Sequence, residues 1–389
     1  DTLNFNSDNR FKAGEEIEVI LTDMLTSTDG QFLELPFVYR FWAETSMSGT
    51  GDFTAAGSIS GQTNVRALAA GDWDGNGDLD LAAANFGDSL VAILINDGTG
   101  DFTVEDEVLG QPNVQALVAG DWDGDGDLDL AAANNGNSTV RVLINDGTGD
   151  FTAEDEVLGM ADVLTLAAGD FDGDGDLDLA TNSGISTVRV LINDGTGDFT
   201  AADEVLDQPN VLALVAGDWD GDGDLDLAAA NNGNSTVRVL INDGIGNFTA
   251  AGTILGQTNV HALAAGDWDG NGDLDLAAAN FGDSLVAILI NDGTGDFTVA
   301  DEVLGLPSVE ALVAGDWNGD GYLDLAAANN GNSTVRVLIN DGFGDFTAAD
   351  EVLGMADVLT LAAGDFDGDG DLDLEANSGI STVSFLKNE

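Results

Sequence analysis

The sequence predicts an all-β protein built as a ring, a seven-bladed β-propeller with four strands per blade. Three observations predict it. The string G-D-[WF]-[DN]-G-[DN]-G-x-L-D-L occurs seven times, with its first Asp at Asp72, Asp121, Asp170, Asp218, Asp267, Asp316 and Asp365, spaced by 48 or 49 residues. A fixed period of this length is characteristic of propeller blades. Each repeat holds four short aliphatic or β-branched runs separated by Gly, Asn and Asp, the pattern of strands and turns. No run of ten residues carries a helical apolar period.

The elements follow in chain order. Residues 1–45 lack the 49-residue period and contain Pro, Lys and Arg. Glu16–Thr22 and Pro36–Trp42 read as strands, with a turn at Ser27–Gly30. The propeller is expected over 46–389, and residues 52–59 read as an outer strand preceding the first complete repeat. In that repeat the strands are Val65–Ala70, Leu79–Asn85, Leu90–Ile95 and Phe102–Leu109. The Asp97–Gly98 pair between the last two is a hairpin signal. Repeats one to three recur almost unchanged as repeats five to seven, so the array reads as a duplicated four-repeat cassette cut at seven. The chain stops after a third strand, at Ser381–Glu389. Residues 52–59 are therefore expected to complete blade seven and close the ring, which removes the open edges of a linear array.

Composition narrows the function. The chain has 389 residues, 72 Asp and Glu against 9 Lys and Arg, one His, no Cys, and a formal charge of −63. Nine scattered cations build no basic face, so nucleic-acid binding is not expected. An anionic membrane surface repels such a chain, and no apolar run is long enough for a transmembrane helix. Without Cys there are no disulfides and no thiolate metal sites. A hydrophobic content of 43% separates it from disordered acidic chains. Residues 1–20 lack the basic start and apolar core of a signal peptide, so none is expected here; earlier removal of one fits the same sequence.

The repeated loop carries the chemistry. In Asp72-Trp73-Asp74-Gly75-Asn76-Gly77-Asp78-Leu79-Asp80, side-chain oxygens stand at positions 1, 3, 5 and 9. Calcium takes six to eight hard oxygen ligands, which alternating acidic residues on a tight loop supply. Gly at positions 4 and 6 permits the turn. Position 7 is expected to act through its main-chain carbonyl, because it is Asp in six repeats and Tyr322 in the sixth. The loop is not an EF-hand, whose position 12 is Glu; here it is Ala83, inside a strand. Magnesium prefers to keep its waters in a strict octahedron, which makes calcium the expected ion.

One Ca²⁺ per blade, seven in all, is therefore expected. The first loop supplies Asp72, Asp74, Asn76, Asp78 and Asp80, and the second Asp121, Asp123, Asp125, Asp127 and Asp129. The third supplies Asp170, Asp172, Asp174, Asp176 and Asp178, and the fourth Asp218, Asp220, Asp222, Asp224 and Asp226. In the fifth they are Asp267, Asp269, Asn271, Asp273 and Asp275, and in the sixth Asp316, Asn318, Asp320, Tyr322 and Asp324. The seventh holds Asp365, Asp367, Asp369, Asp371 and Asp373.

These loops, the following Leu-Asp-Leu-Ala-Ala-Ala and the later Asn-Asp-Gly-x-Gly-x-Phe resemble FG-GAP/VCBS repeats, the repeats of integrin-α-type propellers. The resemblance covers about residues 50–389. It implies calcium in the hairpin between the two inner strands of each blade, with ligands generally bound on the opposite face. Some calcium-dependent fungal lectins share this architecture, so glycans stay open as ligands. The order of runs in residues 1–45 is similar to the C-terminal part of a bacterial Ig-like domain. At about 45 residues it is shorter than a whole sandwich of about 100.

Single residues refine the reading. Trp73, Trp122, Trp219, Trp268 and Trp317, with Phe171 and Phe366, stand at loop position 2; packing between blades is expected over a sugar platform. Arg141, Arg189, Arg238 and Arg336 share one register of the third strand and are expected to neutralise carboxylates. The second residue of the innermost strand varies between near-identical repeats: Arg66, Gln115, Leu164, Leu212, His261, Glu310 and Leu359. It lies at the strand end away from the loops, which makes Arg66, Gln115, His261 and Glu310 candidates for a ligand face. Drift at an exposed strand end is the alternative.

No carboxylate pair stands apart from the repeat, so catalysis is not expected. The expected function is a secreted or surface-displayed binding and adhesion module for an extracellular protein or glycan. A structural spacer or subunit of an extracellular assembly is the competing class. Apolar residues in 1–45 (Val19, Leu21, Phe37, Tyr39, Phe41) suggest self-association through that segment.

Overall fold

A computed structural model describes residues 16–21, 37–42 and 50–388. Glu16–Leu21 and Phe37–Trp42 form a two-stranded antiparallel ladder, with Glu16 opposite Trp42 and Leu21 opposite Phe37. The rest of the reading of residues 1–45, including the apolar face and any contact it makes, lies outside the described residues.

From Phe53 onward the chain is all-β, in seven antiparallel four-stranded sheets. Six sheets use four consecutive strands. Blade one runs from Val65–Gly71 through Asp80–Asn85 and Leu90–Asn96 to Phe102–Leu109. Blade seven is made from Leu361–Gly364, Asp373–Ser378 and Thr382–Asn388 with Phe53–Ser60 as its outer strand. Phe53 stands opposite Asn388 and Ser60 opposite Thr382, so the ring closes as the sequence predicts.

Composition follows depth in each blade. The second strand, Asp-Leu-Ala-Ala-Ala-Asn in most blades, is buried along its whole length. Its alternation sorts residues between two neighbours rather than between core and water. Leu81 and Ala83 pack with Ala362, Phe366 and Val383 of blade seven. Ala82 and Ala84 pack with Val114, Leu130 and Ala132 of blade two. Small side chains let the inner strands approach where the blades converge. The outer strands are mostly exposed, and each pairs through a register shift, as at Ile93/Leu94 in blade one. These bulges, with acidic residues on five of the seven outer strands, make poor templates for edge pairing.

One aromatic pair seals every seam. Trp73 is 0% exposed and meets Phe151 of the next blade edge-on, with ring centroids 5.8 Å apart. Trp122–Phe199, Phe171–Phe248, Trp219–Phe297, Trp268–Phe346, Trp317–Phe53 and Phe366–Phe102 repeat the contact around the ring. The indole also explains Gly71: a Cβ there would lie 2.6 Å from the Trp73 ring. Truncating such a buried aromatic to Ala costs about 3–5 kcal/mol. These rings lie inside the seams, so the packing role holds and they offer no platform to a sugar.

Candidate metal centres

Each acidic loop connects the innermost strand to the second, so all seven lie at one end of their blades. The loop glycines adopt left-handed conformations, with φ +69° at Gly75 and +91° at Gly77. Side-chain oxygens of the loop accept from the intervening amides. Asp72 Oδ2 accepts from Gly77 N at 2.8 Å, Asp74 Oδ1 from Asn76 N at 3.0 Å and Asn76 Oδ1 from Asp78 N at 2.6 Å.

Position 9 anchors the loop. Asp80 is fully buried; its Oδ2 accepts from Trp73 N and its Oδ1 from Asn96 N, both at 2.8 Å. Asp129, Asp178, Asp226, Asp275, Asp324 and Asp373 do the same in their blades. Asn96 in turn donates through Nδ2 to Leu79 O at 2.9 Å and to Phe366 O of the neighbouring blade at 2.7 Å. Asn145, Asn193, Asn242, Asn291, Asn340 and Asn388 each reach the position-2 carbonyl of the preceding blade. Sequence reasoning missed these asparagines. Their signal was present: an Asn closes the third strand in all seven repeats and precedes Asp-Gly in six of them.

The structure gathers positions 1, 3 and 9. In blades one to five, one oxygen from each of Asp72/Asp74/Asp80, Asp121/Asp123/Asp129, Asp170/Asp172/Asp178, Asp218/Asp220/Asp226 and Asp267/Asp269/Asp275 lies within 4.8 Å of the others. Asp125, Asp174 and Asp222, at position 5, are outside these trios. Position-7 side chains turn away onto the Asn-Asp-Gly hairpin. Asp78 lies against Gly98, Asp273 against Gly293 and Tyr322 against Gly342.

Burial and neighbouring carboxylates raise the pKa values of the loop acids. Burial pushes Asp80 up to about 7, and the charges of Asp74 and Asp72 add to it, against the bonds from Asn96 and Trp73. Burial likewise raises Asp178, Asp226 and Asp324 to about 7, Asp129 and Asp275 to about 6 and Asp373 to about 8. It also raises Asp170, Asp218, Asp316 and Asp365 at position 1, and Asp123, Asp172 and Asp220 at position 3. Asp365 Oδ1 is buried with no hydrogen-bond partner. Carboxylate oxygens gathered in this way could hold a metal ion, and hard oxygen donors suit a hard cation.

The candidate ligand-face residues stand at the other end of the innermost strands, all half-buried. His261 Nδ1 and Glu310 Oε2, on adjacent blades, are 2.7 Å apart. The imidazole also stacks on Phe281, with centroids 4.3 Å apart and planes at 14°. Arg66 lies over the Phe86 ring at 5.1 Å. Of the arginines in the third strand, Arg189 pairs with Glu204 at 3.1 Å. Arg141 and Arg238 instead donate to the carbonyls of Gly110 and Asp207.

Fold and site together define a seven-bladed repeat propeller with an acidic loop in every blade. The FG-GAP-like repeat model matches residues 72–132, 121–181, 170–229, 218–278, 267–327 and 316–374, and the chain belongs to that family. These six overlapping matches each begin on a loop and together span all seven. No curated protein matches the sequence. Among solved structures, BBS1N in complex with ARL6DN is similar at a TM-score of 0.64 and 11% identity, covering 87% of this chain and 98% of that one. A streptogramin B lyase follows at 0.60 and 13%, covering 87% and 97%. A lectin of Agrocybe aegerita that recognises non-reducing terminal N-acetylglucosamine is similar at 0.54 and 19%, covering 97% and 96%. At these identities the likeness is one of fold. No helix among the described residues is long and apolar enough to cross a membrane.

Proposed function

We propose that the chain is a calcium-stabilised binding and adhesion module acting outside the cell, with no catalytic role. Its loops hold calcium, and its ligand is an extracellular protein or glycan bound on the face away from them. The observation that carries the binding role is the divergence of near-identical blades at one strand position, where His261, Glu310 and Phe281 come together. Residues 1–45 are read as the C-terminal part of an Ig-like unit, separate from the propeller at 46–389. Melting in EDTA and after adding back calcium or magnesium tests the metal. At ten- to a hundredfold excess over Kd, each bound ion adds about 1.4–2.7 kcal/mol, so a melt unchanged by chelator rejects it. Binding to glycan and protein arrays, compared between the parent and His261→Ala/Glu310→Ala, tests the face. A partner held equally by both proteins rejects that face.

A lectin role is the second reading, supported by the fold shared with the Agrocybe aegerita protein. Binding to glycans ending in N-acetylglucosamine separates it from protein adhesion. A spacer role in a larger assembly predicts no array ligand and a mass that rises with concentration. Self-association through residues 1–45 belongs with that outcome and is checked by light scattering of 1–389 against 46–389.

A further inference from the structure

Blade seven departs from the other six around its loop. Before the closing Asn of the third strand, the other blades carry Ile95, Ile144, Ile192, Ile241, Ile290 and Ile339; blade seven carries Lys387. The Lys387 ammonium donates to Asp369 Oδ2 at 2.8 Å and to Asp367 Oδ2. These are loop positions 5 and 3. The side chain is a third exposed, as expected for a stem that runs from the seam to the loop surface.

A neighbouring change shows that this arrangement is built in. At the other seams the isoleucine lies against the glycine two residues before the outer strand of the next blade: Ile95 against Gly149, Ile144 against Gly197, Ile339 against Gly51. At the seventh seam that glycine is Gly100, and the ring of Phe385 lies against it, 2.5 Å from where a Cβ would stand. Phe385 replaces a Val or Ile of the other blades, such as Ile93 or Val337. The larger ring fills the space left when Lys387 turns out of the seam.

We infer that Lys387 is the resident cation of blade seven, standing in for the divalent ion, so that the ring holds six calcium ions tightly and not seven. This rests on the calcium reading of the other loops. An ammonium and a divalent ion cannot share Asp367 without strong repulsion. The ammonium is also tethered a few bonds away, which keeps its effective concentration high against an ion arriving from solution. Asp365 Oδ1 stays without a donor, so a divalent ion retains a foothold there. To use Asp367 it must first expel the ammonium, which weakens the seventh site at least tenfold.

Equilibrium dialysis of the full chain against calcium, with metal counted by mass spectrometry, tests this. At a concentration that just saturates the other loops, the parent is expected to hold six ions and Lys387→Met seven. Asp367→Asn is expected to leave the parent count unchanged, whereas Asp172→Asn lowers it by one. The Asp367→Asn comparison does not depend on the Lys387 variant folding. Seven ions in the parent, or one lost on Asp367→Asn, overturns the inference and leaves the calcium reading intact. No ions in any of the proteins overturns the calcium reading and this inference with it.

Discussion

The backbone amide of Gly51 donates to Oδ1 of Asn388 at 3.1 Å, across 337 residues of sequence. Asn388 also reaches Trp317 O at 2.8 Å, and its own amide donates to Asp373 Oδ1 at 2.9 Å. The blade-to-blade asparagine bond is thus made at the closing seam with the same partners as elsewhere, and the incoming strand is tied to it. Deleting residues 50–60 removes the strand that covers the outer edge of Thr382–Asn388. An uncovered strand edge pairs with whatever strand it meets. We expect the deleted chain to dimerise or aggregate and to melt well below the parent. Light scattering and thermal melts check this; a monomer melting like the parent contradicts the closure.

The buried position-9 carboxylates set opposite pH responses with and without metal. Burial raises their folded pKa values to about 6 to 8, against an ordinary aspartate value of 3.8. Between roughly pH 4 and pH 7 the folded chain therefore binds more protons than the unfolded chain. Stability then falls as pH rises through that range. In EDTA the melting temperature is expected to increase as pH drops from 7.5 to 5. In saturating calcium the sign reverses, because protons compete with the ion for the same oxygens. Parallel melts over that range decide it, and the same slope in both buffers is the contrary result.

Most of the fold was legible because the repeat multiplied weak signals. One Asp-rich turn is unremarkable, but seven at a constant period fix blade number, strand count and closure. The second-strand alternation in Leu81-Ala82-Ala83 was visible, but its meaning was not. Both faces are buried, and only the neighbouring blades show which residue faces which. In the loops the residue types were readable from spacing. The division of labour was not, because position 5 and position 9 are both acidic in most repeats. Burial alone separates Asp129 from Asp125. Lys387 was one of nine cations in the count, and its reach to Asp367 depends on a seam that the sequence does not display.

Glu375 occupies a position that is Ala in the other six blades, such as Ala82 and Ala326. It is fully buried, and neither carboxylate oxygen has a hydrogen-bond partner. Burial, reinforced by the charge of Asp373, pushes its pKa well above the usual carboxylate range. Nothing in the structure explains its presence. An unpartnered buried polar group costs about 1–3 kcal/mol. Glu375→Met keeps most of the volume and removes that cost, so the variant is expected to gain about that much stability. Urea unfolding at matched calcium measures it; a loss of stability points to a partner for the carboxyl in solution.

Positions 3, 7 and 9 of one loop answer three separate questions in blade two. Asp123 is one of the trio of oxygens and bonds no strand backbone, so Asp123→Ala should cost one bound ion. Its effect should vanish in EDTA. Asp127 lies against Gly147 with its side chain outside the trio. Asp127→Ala should therefore leave the metal count intact. Asp129 holds both Trp122 N at 2.9 Å and Asn145 N at 2.8 Å. Asp129→Ala strands two buried donors as well as removing a ligand, at about 1–3 kcal/mol each. It should lose the ion and remain destabilised by roughly 2–6 kcal/mol in EDTA. Asp129→Asn keeps one acceptor oxygen and should fall between the two. The measurements are metal content and unfolding free energy for each variant, with and without chelator. Equal losses in EDTA for Asp123→Ala and Asp129→Ala would remove the distinction between a metal ligand and a strand anchor on which the assignment depends.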